Sequence, residues 1–194
     1  MLNEIFDKIY VINLDERTDR LEAFDKQAKS LGIQYERVPA IKWEKGKIPK
    51  ADACKKSHQI AMKTGIDAGA KRIFIFEDDA EFCEDFNNKF KDFYAEIPQD
   101  WDMLYLGAWH LNFKRFKEGI VKMVRSHSAH AYGINTHYLD KCYRSTFHRL
   151  PVDLAMAEQH EQNKVYCPKP AFVIQTPGYS DLEEQYRDVT EHYL

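Results

Sequence analysis

The stretch Arg72-Ile73-Phe74-Ile75-Phe76-Glu77-Asp78-Asp79 runs from four consecutive apolar residues straight into three acids. An unbroken β-branched and aromatic run predicts a strand buried on both faces, as in a parallel sheet covered by helices. Upstream of it, Gly69 stops a helical pattern from about Asp52 to Ala68, and Tyr35 to Val38 reads as an earlier strand. Before that, Leu21, Phe24, Ala28 and Leu31 recur at helical spacing, with Thr18 or Asp19 as cap and Gly32 as stop. Ile9-Tyr10-Val11-Ile12 has the same doubly buried strand pattern. Downstream, Phe86, Phe90, Phe93 and Ile97 make a helical stripe ended by Pro98, and Met103 to Leu106 is a strand stopped by Gly107.

The resulting β-α-β-α-β-α-β alternation predicts an α/β fold with a mainly parallel sheet flanked by helices. Past Gly107 the pattern shortens: strands near Ile120 to Val124 and Ala131 to Ile134, a helix from about Thr136 to His148, and another after Pro151. Ala171 to Ile174 reads as a last strand. The 194 residues read as one domain, with a first half 1–107, a second half 108–176 and a polar tail 177–194. A domain of that size buries roughly 70% of its unfolded surface.

Composition narrows the function. The chain is 44% apolar, 30% charged and 13% aromatic, which is globular rather than disordered. A net charge of -3 gives no global field to recruit nucleic acid or acidic membranes. The lysines at 42, 45, 47, 50, 55 and 56 read first as a solvated loop, with a phosphate-contacting loop as the sharper alternative. Cys54, Cys83, Cys142 and Cys167 are too dispersed for a zinc site on paired thiolates and suit free thiols in a reducing compartment. The acidic start Met-Leu-Asn-Glu is no secretory signal, and no run approaches the roughly 20 apolar residues of a membrane span. A cytoplasmic location is expected.

In open α/β sheets ligands bind beyond the carboxyl ends of the strands, where Glu77-Asp78-Asp79 falls. Alternation along extended chain points Glu77 and Asp79 to one side. Two such carboxylates offer hard oxygen ligands to Mn²⁺ or Mg²⁺ and leave positions open for a substrate diphosphate. The competing reading is that the acids cap the following helix. Arg17 and Arg20, after the first strand, could clamp a phosphate or could pair with Asp15, Glu16 and Asp19. Ser57 and His58 sit on a helix whose start faces the same sheet end, a weak signal alone. His127 and His130 are three apart in extended chain and face opposite sides, so one ion cannot hold both. His130 either lines an acceptor site or is packed. Tyr105, Trp109 and Tyr132 stack on sugars or fill the core.

Several segments together resemble glycosyltransferase family 25, the lipopolysaccharide and procollagen galactosyltransferase-like family. They are Tyr10-Val11-Ile12-Asn13-Leu14-Asp15 through Arg17 and Arg20, Cys54-x-x-Ser57-His58, and Ile75-Phe76-Glu77-Asp78-Asp79-Ala80-Glu81-Phe82. Trp101-Asp102-Met103-Leu104-Tyr105-Leu106-Gly107, His130-Ala131-Tyr132 and Pro151-Val152-Asp153 follow in the family's order, within residues 8 to 181. The resemblance implies a GT-A type fold, a UDP-sugar donor, Mn²⁺ dependence and an inverting transfer to a carbohydrate, lipid-linked or protein acceptor. By position, it implies that Asn13, Arg17 and Ser57 meet the donor, with Arg20 and Asp78 beside them, and that Glu77 and Asp79 hold metal and diphosphate.

Such a transfer needs a carboxylate base for the acceptor hydroxyl. Asp153 is the candidate, with Asp181 as runner-up; the competing role for Asp153 is capping the helix it begins. A non-catalytic nucleotide-sugar binder, or a metal-dependent nucleotidyltransferase or phosphoesterase, would use the same acids and differ in products.

Overall fold

In a computed structural model that describes residues 1–181 and 183–193, the acidic stretch ends a strand of one eight-stranded sheet. The chain begins with a single helical turn, α1 (Leu2–Ile5), then β1 (Lys8–Asn13), α2 (Thr18–Leu31), β2 (Glu36–Pro39) and α3 (Lys50–Asp67). β3 (Arg72–Glu77), the short β4 (Ala80–Phe82), α4 (Phe86–Glu96) and β5 (Met103–Tyr105) complete the first half. The second half holds β6 (Trp109–Lys117), β7 (Ile120–His127), β8 (Ala131–Asn135), α5 (Thr136–Ser145), α6 (Val152–Ala157) and β9 (Val165–Pro168). β10 (Val173–Gln175), β11 (Gly178–Ser180), β12 (Gln185–Arg187) and a 3₁₀ turn at Thr190–Tyr193 close the chain.

The sheet order is β2-β1-β3-β8-β5-β9-β7-β6. Following the pairings across it, six strands point one way, and only β8 and β7 run against them. β1, β2 and β3 are mutually parallel, so their carboxyl ends open on one edge, which is where the acids lie. Both sheet faces are covered. On one, Met62 of α3 and Leu139 and Cys142 of α5 pack on Tyr10, Ile73, Ile75 and Tyr132. On the other, Phe24 and Ala28 of α2 and Phe86, Phe90 and Phe93 of α4 pack on Val11, Phe74 and Phe76. Each of those phenyl groups contributes about 1.5–3 kcal/mol by leaving water. This two-sided burial is why the strands are continuous apolar runs rather than alternating ones.

Helix ends follow the sequence only in part. Gly32 closes α2 at φ 69°, a left-handed position that glycine occupies without penalty. The expected caps Thr18 and Asp19 instead lie in the first turn; Arg17 is the cap residue, and its side chain makes no capping bond. α5 stops at Ser145, short of His148. The last strand is also displaced. Val173–Gln175 leaves the main sheet and pairs with β4, while the sheet position belongs to Val165–Pro168. That crossing is tight: a Cβ on Gly107 would lie 1.9 Å from the Val173 carbonyl oxygen, so only glycine fits. Beyond it the polar tail is structured, with β11 and β12 forming a hairpin over the strand ends. No helix among the described residues is long and apolar enough to cross a membrane.

Candidate active site

β1 ends in Asn13, whose side chain is 2% exposed and fully used. Its Nδ2 donates to Asp78 Oδ2 at 2.7 Å and to the Arg17 carbonyl at 2.9 Å, and its Oδ1 accepts from Arg37 Nε at 2.8 Å. Asn13 thus ties the turn after β1 to the acidic turn after β3. Arg20, in the first turn of α2, completes the tie by donating to Asp78 Oδ1 at 3.2 Å and to the Tyr179 carbonyl at 2.6 Å. Burial pushes Asp78 above the ordinary carboxylate range, and Asn13 and Arg20 oppose that push.

Glu77 and Asp79 diverge in their surroundings. Glu77 Oε1 accepts from His58 Nε2 at 2.9 Å, and His58 Nδ1 lies 2.8 Å from the Tyr132 hydroxyl. Burial alone would raise Glu77, but the His58 contact and the nearby His130 and Arg20 hold it below its usual value. Asp79 has less support. Gln175 Nε2 reaches its Oδ2 at 3.3 Å and Arg20 stands 3.9 Å away, while its Oδ1 is buried with no hydrogen-bond partner. Burial first, then the charges of Glu77 and Asp78, push Asp79 up to about 7. Three neighbouring acids crowd here, and the carboxylate oxygens of Asp79 and Glu77 are hard donors that could hold a divalent cation.

These groups line a cavity of about 470 Å³. Its inner wall carries Asn13, Ser57, His58 and Glu77 to Asp79; its outer wall comes from the loop at Lys42 and Trp43 and from the tail at Tyr179, Asp181 and Arg187. Trp43 Nε1 donates to the Asp181 carbonyl at 3.2 Å, and Lys50 Nζ lies 4.5 Å from the Trp43 ring centre. Of the basic loop, Lys42 reaches the cavity edge paired with Glu16, which makes that loop part of the site rather than solvated chain alone.

The remaining expected residues either lie off the cavity lining or have their polar groups committed elsewhere. Arg17 sits behind the wall, where it pairs with Asp19 and holds the Asp181 carboxylate. Ser57 faces the cavity but its hydroxyl is committed, donating to the Ala53 carbonyl at 2.9 Å and accepting from the Ile41 amide at 2.8 Å. It fastens the Ile41 loop. His130 does not face an acceptor space: it is fully buried, its Nε2 donates to the Val173 carbonyl at 2.9 Å, and Tyr193 packs against its ring. Tyr105 and Tyr132 are core residues. Asp153 lies in the first turn of α6 but caps nothing in it, since Pro151 is the cap residue and no side-chain bond is made there. Asp153 Oδ2 instead accepts from the Ser128 amide at 3.2 Å and lies 3.4 Å from His127 Nδ1. Trp109, whose ring is parallel to His192 at 3.7 Å, also contacts His127. Gln175, Tyr179 and Trp43 carry no motif, and only the fold brings them to the acids.

A carboxylate cluster lies at the carboxyl edge of the sheet under a cavity roofed by the tail, and the α/β fold is GT-A-like. Solved structures agree on the fold. A glycosyltransferase involved in glycosylation of the major capsid of PBCV-1 is similar at a TM-score of 0.55 and 9% identity, over 96% of this chain and 97% of that one. The protein A197 from STIV is similar at a TM-score of 0.54 and 13% identity, over 92% and 91%. Residues 45–158 match the model of glycosyltransferase family 25 (LPS biosynthesis protein), and the chain belongs to that family. It is a glycosyltransferase enzyme.

Proposed function

We propose that this enzyme moves a sugar from a UDP-sugar donor to a hydroxyl of a carbohydrate, lipid-linked or protein acceptor, with inversion, assisted by Mn²⁺ or Mg²⁺. The observation that carries the metal dependence is Asp79 Oδ1, buried without a hydrogen-bond partner and close enough to Glu77 and Asp78 to feel their charge. Asp79 and Glu77 would hold the ion. Bound there, it would supply positive charge to a diphosphate leaving group.

The chain's own residues do the rest. Arg20 fixes Asp78 and borders the cavity, so it and Lys42 orient the donor's phosphates. The Trp43 ring and the tail hairpin close over the donor and exclude water. Asp153, held by the Ser128 amide, takes the acceptor hydroxyl's proton. The freed oxygen forms its bond to the anomeric carbon as the bond to the donor phosphate breaks, and the electron pair leaves on UDP. The inverted sugar is the product of one such displacement. Four free cysteines accord with a reducing, cytoplasmic setting.

Calorimetry with UDP tests the reading. Divalent metal should strengthen binding, and ligand at 100 times its dissociation constant should stabilise the fold by about 2.7 kcal/mol. Product analysis should show free UDP and a glycosylated acceptor. Absence of UDP binding at millimolar nucleotide with Mn²⁺ present would remove the donor assignment; pyrophosphate or inorganic phosphate as product would remove glycosyl transfer as the reaction.

A further inference from the structure

Cys54 and His58 are four residues apart on α3 and therefore share one helix face. That face meets the end of β3, and the Cys54 thiol, one His58 ring nitrogen and one Glu77 carboxylate oxygen all lie within 4.8 Å of one another. All three residues line the 470 Å³ cavity, which gives an ion an entry path and room for water or substrate as a further ligand. We propose that Cys54, His58 and Glu77 form a Zn²⁺ site that shares Glu77 with the oxygen site at Asp79 and differs from it in its other ligands.

The chemistry of the ligands separates the two. Thiolate and imidazole are the ligands zinc takes in three-residue open sites, whereas Mn²⁺ and Mg²⁺ favour carboxylate, water and phosphate oxygens. The His58 orientation is already suited to a metal. Its Nε2 faces Glu77 at 2.9 Å, so a cation would replace the proton now shared there. Its other nitrogen is held by the Tyr132 hydroxyl at 2.8 Å, the outer contact that fixes a metal-binding imidazole. A phenol both donates and accepts, so Tyr132 serves whichever tautomer metal binding leaves. If Glu77 serves the transfer reaction as proposed above, zinc is also its inhibitor, because it draws Glu77 away from Asp79. The zinc site itself does not depend on that reading.

The test uses the full chain after chelator treatment, with Zn²⁺ and Co²⁺ as probes. Wild type should bind one Zn²⁺ in competition with a chromogenic chelator. With Co²⁺ it should give the near-ultraviolet charge-transfer band of a cobalt thiolate. Cys54→Ser should lose the band and weaken zinc by well over an order of magnitude. Tyr132→Phe should weaken zinc by roughly 10–100-fold while keeping the band, and it carries the test if Cys54→Ser does not fold. Asp79→Ala should keep both band and zinc. No cobalt–thiolate band in wild type, an unchanged band in Cys54→Ser, or zinc binding lost in Asp79→Ala would overturn the proposal. Mn²⁺-dependent UDP binding, measured on the same wild-type samples, reports on the donor reading alone, so either can fail without the other.

Discussion

The inner wall of the cavity, from Asn13 through His58 to Asp79, and the outer wall, from Tyr179 to Arg187, are held by different forces. Inner-wall groups hang from the parallel strands β1 and β3 and from α3, and Asn13 and His58 are almost wholly buried. The outer wall is a two-stranded hairpin, with Tyr179 and Tyr186 exposed. It is tied down by polar contacts: Arg20 to the Tyr179 carbonyl, Arg17 to Asp181, Trp43 to the Asp181 carbonyl and Lys50 to Glu184. An isolated hairpin is marginal in water, so those ties decide its position. If the cavity takes the donor as proposed, the metal and phosphate groups would stand on the wall fixed by the core, and the wall fixed by exchangeable polar bonds would open to admit the ligand.

The largest effect is expected outside both walls. Asp153→Asn keeps an oxygen to accept from the Ser128 amide but cannot take a proton. It should melt like wild type, bind donor normally and lose roughly 10²–10⁴ in turnover. Unchanged turnover would return the base to the outer wall, at Asp181.

Next comes the inner wall's charge. Asp79→Ala should retain the fold, because the strand is held by backbone pairing, and lose the metal-dependent part of nucleotide binding. At 100 times the dissociation constant that is a lost stabilisation of about 2.7 kcal/mol. The same residue sets a pH dependence. Its pKa in the folded protein is raised to about 7 from the ordinary 3.8, so its contribution to stability is full below about 4 and is lost as pH rises through about 7. Glu77 acts in the opposite sense and below that window, since its pKa is lowered. Metal-free wild type should therefore lose melting temperature between pH 5 and pH 8 relative to Asp79→Asn, and Mn²⁺ should cancel the difference. Parallel melting curves for the two proteins across that range would show that Asp79 is not strained by charge.

The joint between the walls is Gly107. Adding a methyl there drives it into the Val173 backbone, which cannot swing away as a side chain could. Gly107→Ala should destabilise by about 1–3 kcal/mol in denaturant titration and should weaken donor binding as well, since Val173–Gln175 delivers Gln175 to Asp79. Loss of stability with donor binding intact would mean the segment does not position the site.

The same division explains what was legible in the sequence. Ile9 to Ile12 and Ile73 to Phe76 declared themselves because strands buried on both faces must be apolar throughout. Asn13 and Glu77 end those two strands, so their place in the fold follows from the strand pattern. β6 was hidden: as an exposed edge strand it reads Trp-His-Leu-Asn-Phe-Lys-Arg-Phe-Lys, with none of its residues buried and charges along its length. Such charges guard an edge against further pairing and erase the apolar signal. Gln175, Tyr179 and Asp181 meet their partners across more than ninety residues of chain, a distance no local pattern spans. For His130 the sequence leaves packing and acceptor lining open, and only the fold shows it buried and bonded to the Val173 carbonyl.

The smallest effect belongs to the outermost tie. Lys50 bonds Glu184 and lies over the Trp43 ring; the Lys50 side chain is part-exposed at 34% and that of Glu184 is exposed at 54%. Water and salt screen such a pair, so Glu184→Gln should cost no more than about 1 kcal/mol globally. Its local effect should still be visible, because the hairpin has few other ties. Amide hydrogen exchange should quicken at residues 178–187 and stay unchanged at 73–77, and added salt should produce the same pattern in wild type. Donor affinity should fall by a small factor with turnover at saturation preserved, as expected for a group that holds the roof and touches no reacting atom. Equal acceleration of exchange in both segments would show that the two walls open together, and the division of roles between them would fail.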